Sequence, residues 1–203
     1  MSDSTRSSRA DRVLHSFVDV ARLGVTLLAV ALSGAAVAAM AGDRSMHVPP
    51  LPPTVAALTP SLRALGGGEM TFFGLSIYNA WYWVDGPGWP ADRAYALDIH
   101  YRRNLDGVLI AQRSVDEIEK LGCGTAEQRR RWGEAMARIF PNVRKGDRIT
   151  GVHLTPGTVR YYLNGAPIGD IADDEFSQAF FGIWLDPKTS RPEFRKKLLG
   201  EEP

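Results

Sequence analysis

Two turn signals late in the chain limit what it can fold into. Thr155-Pro156-Gly157 and Asn164-Gly165 bracket the run 158–163. Asn-Gly tolerates positive φ at both positions, which suits a two-residue hairpin turn. Strands joined so closely must run antiparallel, because a parallel pair needs a crossover of a dozen residues or more. The sequence therefore predicts strands over about 147–154 and 158–163, with a short third one over 166–169. Earlier, Tyr95, Leu97, Ile99 and Tyr101 alternate with Asp98 and His100, so 94–102 reads as a strand with one apolar face. The aromatic-rich run 70–84 reads as another, with Phe73, Leu75 and Ile77 alternating with Gly74 and Ser76.

The stretches between follow the helical period. Ser114-Val-Asp-Glu117 has the form of a capping box, in which hydroxyl and carboxylate each satisfy a free amide. It precedes or lies inside a helix ending at Leu121-Gly122. Thr125-Ala-Glu-Gln128 is a second box, opening a helix that buries Trp132, Met136, Ile139 and Phe140 and stops at Pro141. Phe176, Ala179, Phe180, Ile183 and Trp184 form one apolar stripe of a buried helix. Ser190-Arg-Pro-Glu193 predicts the cap of a last helix that runs to Leu199 and closes at Gly200. Strands, helices, strands and helices in that order make an α+β domain, with helices on one face of an antiparallel sheet.

The N-terminal part has a different character. Residues 1–22 are polar and carry Arg6, Arg9, Arg12 and Arg22; an apolar run, 23–41, ends in Ala39-Met40-Ala41. A basic lead, a short apolar stretch and small residues at its exit describe a secretory signal cleaved before Gly42, with an uncleaved membrane anchor facing the periplasm as the alternative. Residues 42–61, with Pro49, Pro50, Pro52, Pro53 and Pro60, read as an extended proline-rich linker, leaving 62–203 as the domain. With a net charge of +1, no acidic or basic field points to nucleic acid or an acidic substrate, and no nucleic-acid partner is expected. Cys123 is the only cysteine and the histidines lack ligand spacing, so neither a disulfide nor a metal site is expected.

The motifs GLSIYNAWYW at 74–83, LDIHYRRNL at 97–105, SVDEIEKLG at 114–122, IFPNV at 139–143 and the stretch 146–200 resemble, in that order, the bacterial chalcone isomerase-like family. The resemblance implies an open-faced β-sandwich with a ligand cleft between sheet and helices, and no cofactor. It also implies a range of activities, from chalcone cyclisation to fatty-acid binding and non-catalytic helper roles. The cyclising enzymes' groups are not matched. Glu69 follows a turn at the glycines 66–68, where they carry an arginine; Phe73 stands for their threonine; Arg113 and Lys120 stand for the tyrosine and asparagine of their helix; Ala179 stands for a late Ser or Thr. Chalcone cyclisation is therefore not expected.

Fatty-acid-binding relatives hold a carboxylate with an arginine and a tyrosine. The matching candidates are Tyr101 with Arg103, which alternation returns to the same face, then Arg113, and Tyr78. The expected partner is a small apolar or acidic ligand, with membrane contact only through an uncleaved N-terminal segment. Two other readings stay open: an isomerase or lyase on another substrate, with Glu69 and Tyr101 as the nearest proton-transfer groups, and a non-catalytic envelope helper.

The export reading is open to a direct check. Intact-mass measurement of the chain recovered from the periplasm is expected to give a first residue of Gly42. Recovery only from the membrane fraction, with 23–41 intact, would make the segment an anchor.

Overall fold

The computed structural model describes residues 47–90 and 93–201. The apolar run 23–41 and the expected cleavage point lie outside the described residues. Residues Arg44–Pro203 form a compact unit of their own. Its elements are α1 (Pro53–Leu58), β1 (Arg63–Phe72), β2 (Leu75–Val84), β3 (Tyr95–Tyr101), α2 (Gly107–Lys120), α3 (Ala126–Ile139), β4 (Arg148–Leu154), β5 (Thr158–Leu163), β6 (Ala166–Ala172), α4 (Asp174–Leu185) and α5 (Pro192–Leu199). The strands form one sheet in sequence order, antiparallel throughout. This is the expected α+β architecture.

One face of the sheet carries the core. Tyr82, Tyr95, Leu97, Ile99, Tyr101, Ile149, Val159 and Tyr161 meet Ile118 of α2, Trp132 and Met136 of α3, the aromatic stripe of α4, and Phe194 and Leu198 of α5. Phe180 is central: its ring lies 5.3 to 6.4 Å from those of Trp184, Phe181, Tyr161, Phe176 and Phe140. Each such ring contributes by area burial and by edge-to-face geometry.

The capping box at Thr125 forms both of its hydrogen bonds. The Asn164-Gly165 turn has φ of 51° and 87°, as a two-residue hairpin turn demands.

Six local expectations need correction. The run 70–84 is not one strand: Phe73 (φ 48°) and Gly74 (φ 74°) form the turn between β1 and β2. The two-residue turn carries the apolar alternation on from β1 into β2, so the pattern hides the break. The glycines 66–68 are not a turn but the middle of β1, where a Cβ on Gly66 would collide with the backbone of α5 and one on Gly67 with the Trp81 ring. The linker reading fails for 51–58. Proline at the first helical position starts α1, and Leu51 and Val55 are buried against Ala96, Val152 and Tyr162 on the outer face of the sheet. The N-cap of α2 is Asp106, whose carboxylate accepts from the amides of Val108 and Leu109, while Ser114 lies inside the helix and donates to the Ile110 carbonyl. Ser190 does not cap α5; it donates to Glu117. β6 also runs beyond its expected end to Ala172.

The outer face holds one buried charge. Asp98 is fully buried and accepts two bonds from Arg148, each 2.6 Å, and one from Thr150 at 2.8 Å; His100 Nε2 is 2.9 Å away. Burial alone would raise its carboxyl, but hydrogen bonds with His100 and Arg148, with the Arg148 charge, outweigh it and hold the group below the usual carboxylate range. A depressed folded value means stability that is present above about pH 4, the ordinary carboxylate value, and is lost as pH falls below it. Asp98→Ala strands the Arg148 charge and is expected to cost roughly 3 kcal/mol at pH 7. In urea titrations the gap from wild type should narrow below about pH 4; a gap that stays constant with pH would mean that the carboxylate charge contributes nothing.

Candidate functional site

β2 and β3 place Tyr78 and Tyr101 opposite each other on the helix-covered face, with ring centroids 6.2 Å apart. α4 brings Trp184, whose indole N–H donates to the Tyr78 hydroxyl at 2.9 Å. α5 brings Phe194, edge-on to Tyr78 at 6.0 Å. Burial pushes Tyr78 up to about 12 and Tyr101 well above the usual phenol range. Neither phenol is a base at neutral pH. The Tyr78 oxygen accepts from Trp184, which leaves its own proton free to donate outward.

The two expected arginines stand elsewhere. β3 ends at Tyr101 and the chain bends, so strand alternation does not reach Arg103. Its exposed side chain turns back, with Nε donating to the Ser76 carbonyl at 3.0 Å. Arg113 lies on α2 and pairs with Glu117 at 2.6 Å. The structure thus brings together Tyr78 and Tyr101, but not Arg103 or Arg113 with them.

Glu117 organises the adjoining helix. It lies on the inward stripe of α2 with Ala111, Ser114 and Ile118. One carboxylate oxygen meets Arg113 and, at 3.0 Å, Lys120; the other accepts from the Ser190 hydroxyl at 2.6 Å. Burial alone would raise this carboxyl, yet the bonds from Ser190 and Lys120 and the charges of Arg113 and Lys120 hold it low. The positions that resemblance matched to a catalytic tyrosine and asparagine are therefore two arms of an ion-pair cluster.

Sequence reasoning missed Arg191. It is half-buried just before α5, and its guanidinium lies 5.4 Å over the Phe72 ring. Its charge acts on the Tyr78 hydroxyl, favouring the ionised form. Among the described residues no carboxylate pairs with it. Its place in the supposed cap Ser190-Arg-Pro-Glu193 concealed it.

No single site gathers the remaining candidates. Glu69 is exposed on β1, on the outer face with Gly67, whereas Met70 and Tyr101 face the helices. Glu69 and Tyr101 therefore cannot act on one substrate atom. Phe73 is in the hairpin turn, and Ala179 is buried in α4. Two surface openings lie away from this region, one beside α1 at Arg160 and Asp170 and one between α2 and α3. Among the described residues no cluster of His, Cys, Asp or Glu has the form of a metal site.

The sheet and its helical layer agree with one family, and the sequence model of that family, described as chalcone isomerase-like, matches residues 93–200. The chain belongs to the chalcone isomerase-like family. It is also similar to an uncharacterized protein of Haemophilus influenzae, 26% identical over 138 residues, which cover 68% of this chain and 67% of that protein. Among solved structures, an Arabidopsis thaliana fatty-acid binding protein shares the fold with a TM-score of 0.55 at 12% identity, over 70% of this chain and 88% of that one. The chain thus carries the chalcone isomerase-like scaffold.

The Tyr78–Trp184 bond is testable. Tyr78→Phe leaves a nearly buried indole N–H unpaired and is expected to lower stability by about 1–2 kcal/mol in chemical denaturation. Adding Trp184→Phe should then cost less than it does in the wild type. Strict additivity would mean that the bond contributes nothing.

Proposed function

We propose that this protein is an exported binding protein for a small apolar acid, such as a fatty acid, and not a chalcone isomerase. The observation that carries the reading is Arg191: a half-buried guanidinium without a carboxylate partner among the described residues, beside a phenol whose proton is free and over an aromatic ring. A partly desolvated cation calls for an anion. The planar fork of arginine fits a carboxylate with two charge-assisted bonds, and Tyr78 can supply a third. Phe72, Tyr101, Trp184 and Phe194 supply the apolar surroundings that select an aliphatic acid over a polar one. The Arabidopsis protein of the same fold, a fatty-acid binding protein, supports the ligand class. The basic lead, apolar run and Ala39-Met40-Ala41 support export.

In this reading Arg113 does not hold the ligand, because Glu117 already neutralises it. Arg102 and Arg103, exposed at the end of β3, raise the local concentration of anions. Trp184 and Phe194 fill the space between sheet and helices, so the acyl tail enters by displacing one of them rather than by filling a standing cavity. The same packing favours a second reading, a non-catalytic envelope helper that needs no ligand.

Native mass spectrometry with lipid extraction, on protein purified from its native compartment, separates the two. A stoichiometric acid is expected on the wild type and is expected to disappear from Arg191→Ala but not from Arg160→Ala, which lies on the other face. An empty wild-type protein would favour the helper role.

A further inference from the structure

We infer that the tip of the β1–β2 hairpin docks this domain on an anionic membrane surface. The tip is apolar where a turn is normally polar: Phe73 is 90% exposed, Phe72 42% and Leu75 41%. Phe73 makes a ring contact only with Phe72, at 4.4 Å. It also holds a positive φ of 48°, a conformation that a bulky residue rarely adopts and that Asn or Gly adopts readily. Beyond that one ring contact, folding gains little from phenylalanine at this position. A water-exposed aromatic kept in an unfavourable conformation is instead suited to burial in something outside the chain.

The surroundings of the tip identify that partner. Arg103 is tied by its side chain to the carbonyl of Ser76, next to Leu75. Arg102 is tied by its backbone amide to the carbonyl of Ile77. Arg191 lies over Phe72. The guanidiniums of Arg103 and Arg191 therefore flank the turn, Arg102 is exposed just past the end of β3, and among the described residues none of the three has a carboxylate partner. The chain as a whole is nearly neutral, so this positive charge is local. Four residues after Arg103, α2 begins at Gly107, followed by Val108 and Leu109, also exposed. Asp106, between them, has its carboxylate occupied by two backbone amides.

A narrow aromatic point with a cationic collar suits a lipid interface. The rings enter the boundary between headgroups and chains while arginines meet anionic headgroups. A protein partner would need a broader surface, of about 800 Å² per side. Docking does not depend on a bound acid. It does place Tyr78 and Arg191 beside a source of the proposed ligand.

The test uses the delipidated chain 42–203, whose core is complete within that unit. Vesicles of phosphatidylcholine alone are compared in flotation with vesicles that also contain phosphatidylglycerol. Binding is expected only to the anionic vesicles and should weaken in high salt. Arg102→Glu with Arg103→Glu should weaken partitioning by about tenfold or more. Phe73→Asn should abolish binding while raising the denaturation midpoint, because it relieves the turn. That combination separates lost docking from lost folding. Equal binding to neutral vesicles, no binding to either kind, or unchanged binding by Phe73→Asn would each overturn the proposal. An acid found by mass spectrometry in a protein that ignores vesicles would leave the ligand reading standing and this one refuted.

Discussion

The domain depends on one contact layer, the aromatic stripe of α4 laid across the inner face of the sheet. Phe176, Phe180, Phe181 and Trp184 touch rings from α3, from β3, from β5 and from one another. Side chains of this size interdigitate at close to crystal density, so little space remains between the layers. This packing stabilises the sheet, and it leaves the sheet–helix interface filled rather than hollow. A ligand site in such a fold has to lie at the edge of the layer or open by moving a ring.

At that edge the charges are arranged unevenly. Glu117 collects two cations and a hydroxyl, which ties α2 to the segment before α5. Arg191, one residue beyond that hydroxyl, is left without an anion among the described residues while Arg113 is paired with Glu117. On the opposite face, Asp98 is closed off by Arg148, Thr150 and His100 and is best understood as a strut joining β3 to β4. Similar residue types therefore do different things according to whether their charge is already answered by a neighbour.

Much of the fold was legible in the sequence because its signals are local. The hairpin turns, the alternation of β3 and the stripe of α4 act through residues adjacent in sequence or one helical turn apart. The misreadings share a cause. Alternation continued through Phe73-Gly74, so the turn was invisible. Glycines in β1 looked like a loop because the reason for them is α5, far away in sequence. Leu51 and Val55 looked like linker because the surface they cover is assembled from three strands.

The site was less legible for the same reason. Tyr78 and Tyr101 are separate candidates in the sequence, and only the pairing of β2 with β3 sets them opposite each other. Arg103 was assigned by extending the parity past Tyr101, where the strand had ended. Arg113 was named without its partner, because Glu117 had been read as a cap. What the sequence alone determined was the order of elements from β3 onward and which strand side chains share a face, both consequences of local period, with the chalcone isomerase-like resemblance carried by motifs. Only the tertiary structure decided which charges are paired, since pairing depends on distances between residues as far apart as Glu117 and Ser190. That left Arg191 uncompensated and the hairpin tip bare.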